Sequence, residues 1–127
     1  MKAVLLRPLA ASMLAVLALT AGACGGGSEP VLTAQEAQGK QVARDKNCTA
    51  CHSVNGNKSE GPTWKGLAGS TVTLADGTKV VADDAYLARS ITQPKAQLVQ
   101  GYRTAMPTTP MPEADVAAVV AYIKTLK

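Results

Sequence analysis

Two cysteines and the only histidine of the chain lie within one stretch of five residues. Cys48 and Cys51 are separated by two residues, and His52 follows directly. Thiols at this spacing can form a disulfide, bind a metal together with the imidazole, or form thioethers with the two vinyl groups of a porphyrin while the imidazole reaches its iron. The C-x-x-C-H pattern is the attachment signature of c-type haem, so the sequence predicts one covalently bound haem c per chain.

Three other uses of these residues explain the sequence less well. A disulfide between Cys48 and Cys51 would leave His52 without a role. A structural zinc site takes four protein ligands, and the chain has no second histidine to complete one. A thioredoxin-like redox pair sits in a βαβ setting, which the sequence does not contain. The haem interpretation uses all three side chains.

The second axial ligand of such an iron can be sought by elimination. There is no second histidine, and Met1 and Met13 belong to the N-terminal segment, which leaves Met106 and Met111. Both lie in a polar loop with prolines beside them, unlike the apolar stripe of a core helix. Met/His ligation raises the reduction potential of haem iron and fills its coordination sphere, which suits electron transfer. The residues alone leave both methionines open.

The N-terminal segment is typical of a secretory signal. Lys2 and Arg7 precede an apolar run over residues 9–19, and small residues then lead to Cys24. The run is shorter than the roughly 20 residues that a membrane-spanning helix needs. "TAGAC" resembles a bacterial lipobox, and "GGGSEP" after it is a flexible tether. We expect a lipoprotein signal peptide at 1–23, a lipidated linker at 24–32 that begins with Cys24, and a folded domain at 33–127. The domain would be exported and held by lipid on the outer face of the cytoplasmic membrane or in the periplasm.

The charge balance excludes one class of partner. The chain has 13 basic and 9 acidic residues, and removal of residues 1–23 takes away Lys2 and Arg7 but no acid, which leaves a net charge of +2. There is no basic run and no basic helix stripe, so we expect no binding to nucleic acid.

The chain also lacks Phe, and a core poor in large rings leaves room for a large flat ligand.

Local patterns predict a first helix and its contact face. Thr33 and Glu36 form a Thr-x-x-Glu capping box that starts a helix running to about Lys46. Val42 and the small residues of this helix are expected to face inward, namely Ala34, Ala37 and Ala43. Gly39 is unfavourable inside a helix by about 1 kcal/mol, which indicates that another part of the chain approaches it closely.

The remaining elements follow from turn, cap and periodicity signals. In "TVTLADGTKVV", two β-branched runs flank Asp76-Gly77, which predicts a hairpin. Asp83 is a candidate N-cap for a short helix that stops before Pro94. Residues 53–70 and 101–112 read as loops. A last helix begins near Pro112. Its buried face is predicted by four aliphatic residues at helical spacing, namely Val116, Val119, Val120 and Ile123.

Taken together, the motifs resemble those of the class I cytochromes c over residues 33–127. "CTACH" matches the haem-attachment motif, "GPTWKGL" resembles the family's Gly-Pro loop with Trp64 where Leu is usual, and "GYRTAMP" resembles its Met-Pro loop. The resemblance implies a mainly α fold in which the terminal helices cross around the haem, with Gly39 against Tyr122, and a small β-hairpin as an insertion. It also implies the other residues around the haem. They are Pro62, whose carbonyl accepts a hydrogen bond from His52 Nδ1, Met106 as second axial ligand with Met111 as the alternative, and Trp64, Leu67 and Tyr102.

The hairpin and the "DDAYLARSI" helix look most like the cytochrome c domain fused to some cytochrome c oxidase subunit II chains. The copper-site domain and the transmembrane hairpin of those chains are missing from this sequence. The resemblance therefore implies a stand-alone electron carrier, not an enzyme, that shuttles single electrons between membrane respiratory complexes such as cytochrome c oxidase or a quinol-oxidising complex. The alternatives are a haem sensor or peroxidase-like enzyme with an open iron site, and a haem-wiring subunit of a larger oxidase.

Overall fold

A computed structural model describes residues 31–127, which form three α-helices, a short 3₁₀ turn and one β-hairpin. The predicted signal peptide and most of the predicted linker, up to residue 30, lie outside the described residues. Val31 is exposed, whereas Leu32 already packs against the core. Within residues 31–127, no helix is both long and apolar enough to cross a membrane.

Helix α1 spans Ala34–Asp45, and its capping box forms as predicted. Glu36 N donates to Thr33 Oγ1 at 3.3 Å, and Thr33 N donates to Glu36 Oε2 at 2.7 Å. The predicted inward face is correct for Ala43, which is buried, and for Val42, which is half-buried. It is wrong for Ala34 and Ala37, which are exposed. The buried stripe passes through Gly39 and Ala43, and at 3.6 residues per turn positions 34 and 37 lie well away from it.

Helix α3 spans Glu113–Thr125 and packs along α1. The four aliphatic residues predicted to form its buried face are all buried, namely Val116, Val119, Val120 and Ile123. A second buried pair, Ala118 and Tyr122, faces α1 at Gly39. The predicted contact between Gly39 and Tyr122 is confirmed, and the Ala118 carbonyl lies closer still to the glycine.

The predicted hairpin is present as strands β1 (Thr71–Thr73) and β2 (Lys79–Val81), which pair antiparallel. Gly77 N donates to Leu74 O at 2.9 Å across the turn, and Gly77 has φ +86°, a left-handed conformation that glycine adopts without strain. Residues 99–100 pair with the end of β1, since Gln100 N donates to Thr73 O at 3.0 Å, and Leu74, which directly follows β1, bridges Val99. The sequence did not predict this third partner.

Helix α2 spans Asp84–Thr92 and ends before Pro94, as predicted. Its cap is Asp83, whose side chain accepts a hydrogen bond from Tyr86 N at 2.8 Å. The helix packs against the core through three buried side chains, Tyr86, Leu87 and Ile91. Residues 53–70 and 101–112 contain no α-helix or strand, so the two predicted loops are confirmed.

Replacing Gly39 with alanine should destabilise the fold. A Cβ atom at this position would overlap the Ala118 carbonyl and lie 2.9 Å from Tyr122 Cβ, so α1 and α3 would have to separate. Alanine is otherwise the better helix former by about 1 kcal/mol. We expect a net loss of about 1–3 kcal/mol in the free energy of unfolding, measured by chemical denaturation of the haem-loaded protein. Gln35→Ala, at an exposed position of the same helix, is the control. Equal or greater stability of Gly39→Ala would contradict the close approach.

Candidate functional site

The two cysteines lie on a tight turn directly after α1. Asn47 adopts a left-handed conformation with φ +58°, which asparagine tolerates better than most residues, and ends the helical path. A 3₁₀ turn over Cys48–Ala50 follows, closed by hydrogen bonds from Cys51 N and His52 N to Cys48 O at 3.2 and 3.1 Å. Both cysteines are half-buried, and no disulfide joins them. The turn therefore presents the two sulfurs and the imidazole from one short segment.

A second loop clamps this segment in place. We call residues 61–64 the clamp loop. Its Gly61 N donates to Cys51 O, and its Trp64 N donates to Ser53 O, both at 2.8 Å. The Thr63 hydroxyl adds a hydrogen bond to the same Ser53 carbonyl at 3.0 Å. Residues 51–53 are thus held on both sides of His52, so the backbone that carries the imidazole has little freedom.

One hydrogen bond decides which histidine nitrogen is available to a metal. His52 Nδ1 lies 2.8 Å from the Pro62 carbonyl oxygen, the contact that the family resemblance implied. A carbonyl oxygen can only accept, so Nδ1 carries the proton and Nε2 keeps its lone pair. Partners of this kind orient a ligating imidazole and raise its basicity. A Cβ atom on Gly61 would lie 2.7 Å from His52 Cε1, so glycine at that position leaves room for the ring.

Burial sets the protonation of these groups. It lowers the pKa of His52, while the hydrogen bond to the Pro62 carbonyl acts in the opposite direction and raises it. The imidazole is therefore neutral at neutral pH, the form that binds a metal. Burial raises the pKa of the Cys48 thiol, although Lys46 and a backbone hydrogen bond oppose the shift. The Cys48 thiol thus stays protonated at neutral pH. Nowhere in residues 31–127 do three or more His, Cys, Asp or Glu side chains form a group that could hold a metal ion.

A cavity of about 490 Å³ opens beside the two thiols and the imidazole. Its volume falls within the roughly 300–1,000 Å³ of ligand pockets. The structure brings all eight residues of the predicted haem environment to its wall: Cys48, Cys51, His52, Pro62, Trp64, Leu67, Tyr102 and Met106. Met111 lies elsewhere and packs, half-buried, against the hydrophobic core. The thiols, the neutral imidazole, the thioether and the apolar walls together suit a c-type haem.

Beyond Trp64 and Leu67, the sequence did not single out the apolar residues of this wall. They come from β1, α2 and the segment that pairs with the hairpin, namely Val72, Tyr86, Leu87, Ile91 and Val99. Two local signals could have identified some of these residues. Val72 is the buried position of β1 between two threonines, and Leu87 and Ile91 lie four residues apart on α2. That these side chains line one cavity depends on contacts between distant parts of the chain, which local patterns do not show.

The small helical fold and this donor set define a c-type haem protein, and comparison with known proteins agrees. The cytochrome c family model matches residues 36–127. Cytochrome c2 iso-1 of Magnetospirillum molischianum is 36% identical over 90 residues, which cover 63% of this chain and 90% of that protein. The structure of cytochrome cH from Methylobacterium extorquens superposes with a TM-score of 0.55 at 26% identity, covering 71% of this chain and 97% of that one.

The chain therefore belongs to the cytochrome c family. It carries one covalently bound c-type haem, for which Cys48, Cys51 and His52 form the C-x-x-C-H motif, and it is an electron carrier, not an enzyme. The predictions of fold class, cofactor and electron transfer are confirmed. The family favours the carrier over a sensor or peroxidase-like enzyme with an open iron site.

Replacing each candidate methionine separately tests which one binds the iron. Met106 lies on the cavity wall and Met111 packs against the core, so we expect different effects. Met106→Ala should abolish the weak long-wavelength absorption band of ferric iron–thioether bonding, lower the reduction potential and open the ferrous iron to CO.

Met111→Ala is the matched control. It should leave the spectrum unchanged and cost about 2 kcal/mol of unfolding free energy, because it removes a half-buried core side chain. Loss of the band in Met111→Ala, with the band retained in Met106→Ala, would assign the ligand to Met111.

Proposed function

We propose that this cytochrome is a lipid-anchored carrier that moves single electrons between membrane respiratory complexes. The observation that carries the anchor is Cys24, which follows a signal-like segment and precedes a Gly-rich tether. The fold is compatible with such a tether, because exposed Val31 leads into α1 and neither Val31 nor Leu32 is on the wall of the haem cavity. A chain that leaves this end can reach a membrane without covering the site.

In this proposal, four side chains hold the haem. The thiols of Cys48 and Cys51 would form thioethers with its two vinyl groups, and His52 Nε2 and the Met106 sulfur would bind its iron. The haem supplies the one-electron couple of its iron. The chain keeps the histidine in one tautomer through Pro62 and holds residues 51–53 rigidly through the clamp loop. A fixed ligand set moves little between oxidation states, which favours rapid electron transfer.

The cavity wall would also keep water away from the haem. Val72, Leu87 and Ile91 are all buried core residues that line the cavity. A dry environment disfavours the extra positive charge of ferric iron, and thioether ligation acts in the same direction. Both effects raise the reduction potential, which suits a carrier that delivers electrons to a terminal oxidase.

The rim of the cavity supports a transient encounter with a redox partner. Leu98 and Tyr102 line the cavity and are 49% and 36% exposed, so large apolar side chains are accessible to a partner at the edge of the cavity. Interfaces of short-lived electron-transfer complexes are small, at less than about 1,200 Å². A mature charge near +2 gives weak long-range steering, so a lipid anchor would contribute by raising the local concentration. The resemblance to domains fused to oxidase subunit II favours an oxidase as the electron acceptor.

Replacing Cys24 tests the anchor. We expect mass spectrometry to find the mature N-terminus at Cys24 with lipid attached. Cys24→Ser, exported with an ordinary cleavable signal, should be released from membranes and turn over with membrane partners at least tenfold more slowly at equal bulk concentration, because the anchor no longer raises the effective concentration.

Ser28→Ala is the control, since it alters the tether and keeps the cysteine. An unmodified Cys24, or an equally active soluble form, would contradict the anchored carrier. Stable co-purification with an oxidase would favour the haem-wiring subunit instead.

A further inference from the structure

Trp64 contacts an aromatic ring on each of two sides. Its indole stacks on the His52 imidazole, with ring centroids 5.3 Å apart and planes inclined by 18°. It also packs edge-to-face against Tyr122, with centroids 6.3 Å apart and an angle of 84°. Trp64 is only 5% exposed. Both geometries are favourable arrangements of aromatic pairs, and such pairs stabilise beyond the area they bury.

The hydrogen bond to Pro62 restrains the His52 ring but does not by itself fix its plane tightly. The bond keeps Nδ1 near the carbonyl oxygen, but hydrogen bonds tolerate a range of distances and angles, so the ring can still swing by a limited amount about its Cβ–Cγ bond. The terminal torsion of a histidine is broad, so rotamer preference alone does not define the plane. The nearly parallel indole of Trp64 lies along one face of the imidazole and blocks this swing, while Gly61 lies close to its Cε1 and Nδ1 atoms.

Trp64 can act in this way because its own position is fixed. Its backbone N donates to Ser53 O at 2.8 Å, and its carbonyl accepts from Leu67 N at 3.1 Å. Its other side meets Tyr122, which lies on α3 where Gly39 lets α1 approach. The imidazole plane is therefore braced through two rings by the packed pair of helices.

We propose that Trp64 is a positioning residue that sets the plane of the His52 imidazole and so acts on the haem through its ligand. This role goes beyond lining the cavity, and it rests on the proposed function, in which His52 is the proximal ligand. The orientation of an axial imidazole decides which iron d orbital shares the unpaired electron of ferric haem. A fixed plane gives a single electronic state, whereas a swinging ring gives a distribution of states and a less sharply defined reduction potential.

Proton NMR of the ferric haem-loaded protein tests this proposal, because the order and spread of the four haem methyl shifts report the plane of the axial imidazole. Trp64→Leu removes the stacked ring and should change the order or collapse the spread of these shifts. Trp64→Phe keeps an aromatic face and should preserve the order. Tyr122→Leu removes the brace behind the indole and should change the spread in the same direction as Trp64→Leu, by a smaller amount.

Val119→Ala is the control for lost packing. Val119 is a core residue of α3 that is 1% exposed and is not on the cavity wall, so its truncation should lower stability and leave the methyl order unchanged. If Trp64→Leu does not yield haem-loaded protein, Trp64→Met, a flexible side chain without a ring, is measured by the same criterion, and Tyr122→Leu tests the brace independently. An unchanged methyl pattern in Trp64→Leu or its substitute, or a reordered pattern in Trp64→Phe, would overturn the positioning role.

Failure of the proposed function would have a different signature. If the wild-type protein lacks a low-spin histidine-ligated iron, or if His52→Ala keeps the wild-type spectrum, then His52 is not the ligand and the haem assignment itself is wrong. If the wild type has the expected ligation and only the Trp64 variants behave like Val119→Ala, the carrier function stands and the positioning role does not.

Discussion

The hydrogen bond between His52 Nδ1 and the Pro62 carbonyl is the interaction on which the site depends. The chain has a single histidine, and this bond leaves its Nε2 free for iron. The bond exists because the clamp loop pairs with residues 51–53, and Gly61 leaves room for the ring. The same pairing places Trp64 beside the imidazole. The packing of the clamp loop therefore sets both which nitrogen of His52 can bind iron and where the imidazole ring lies.

The fold around this site encloses a cavity that buried core residues line. Core residues of β1 and α2, including Val72, Leu87 and Ile91, line a cavity of about 490 Å³. Small domains bury a modest share of their surface. A group that binds only the folded state therefore contributes to the free energy of unfolding. The absence of Phe from the sequence is consistent with a core whose largest flat component is the haem. The cofactor is thus both the redox centre and part of the packing.

Features that depend on neighbouring residues could be predicted from the sequence, and those that depend on distant contacts could not. The capping box at Thr33, the cap at Asp83 and the turn at Gly77 all form as their local chemistry indicates. The C-x-x-C-H motif and the family loops identified eight residues of one cavity wall. The outward positions of Ala34 and Ala37 were missed, because alanine carries little directional signal. The packing of Trp64 against two rings joins three separate segments, and no local pattern encodes it.

The central claim is that both cysteines of the motif are joined to one haem, and mass spectrometry of a tryptic digest tests it most directly. Trypsin cuts after Lys46 and Lys58, so residues 47–58 form one peptide that contains Cys48, Cys51 and His52. The account predicts that this peptide carries the mass of one haem after denaturation and that neither cysteine reacts with an alkylating reagent. A peptide of unmodified mass with two alkylated cysteines, or one lighter by two hydrogens through a disulfide, would contradict it.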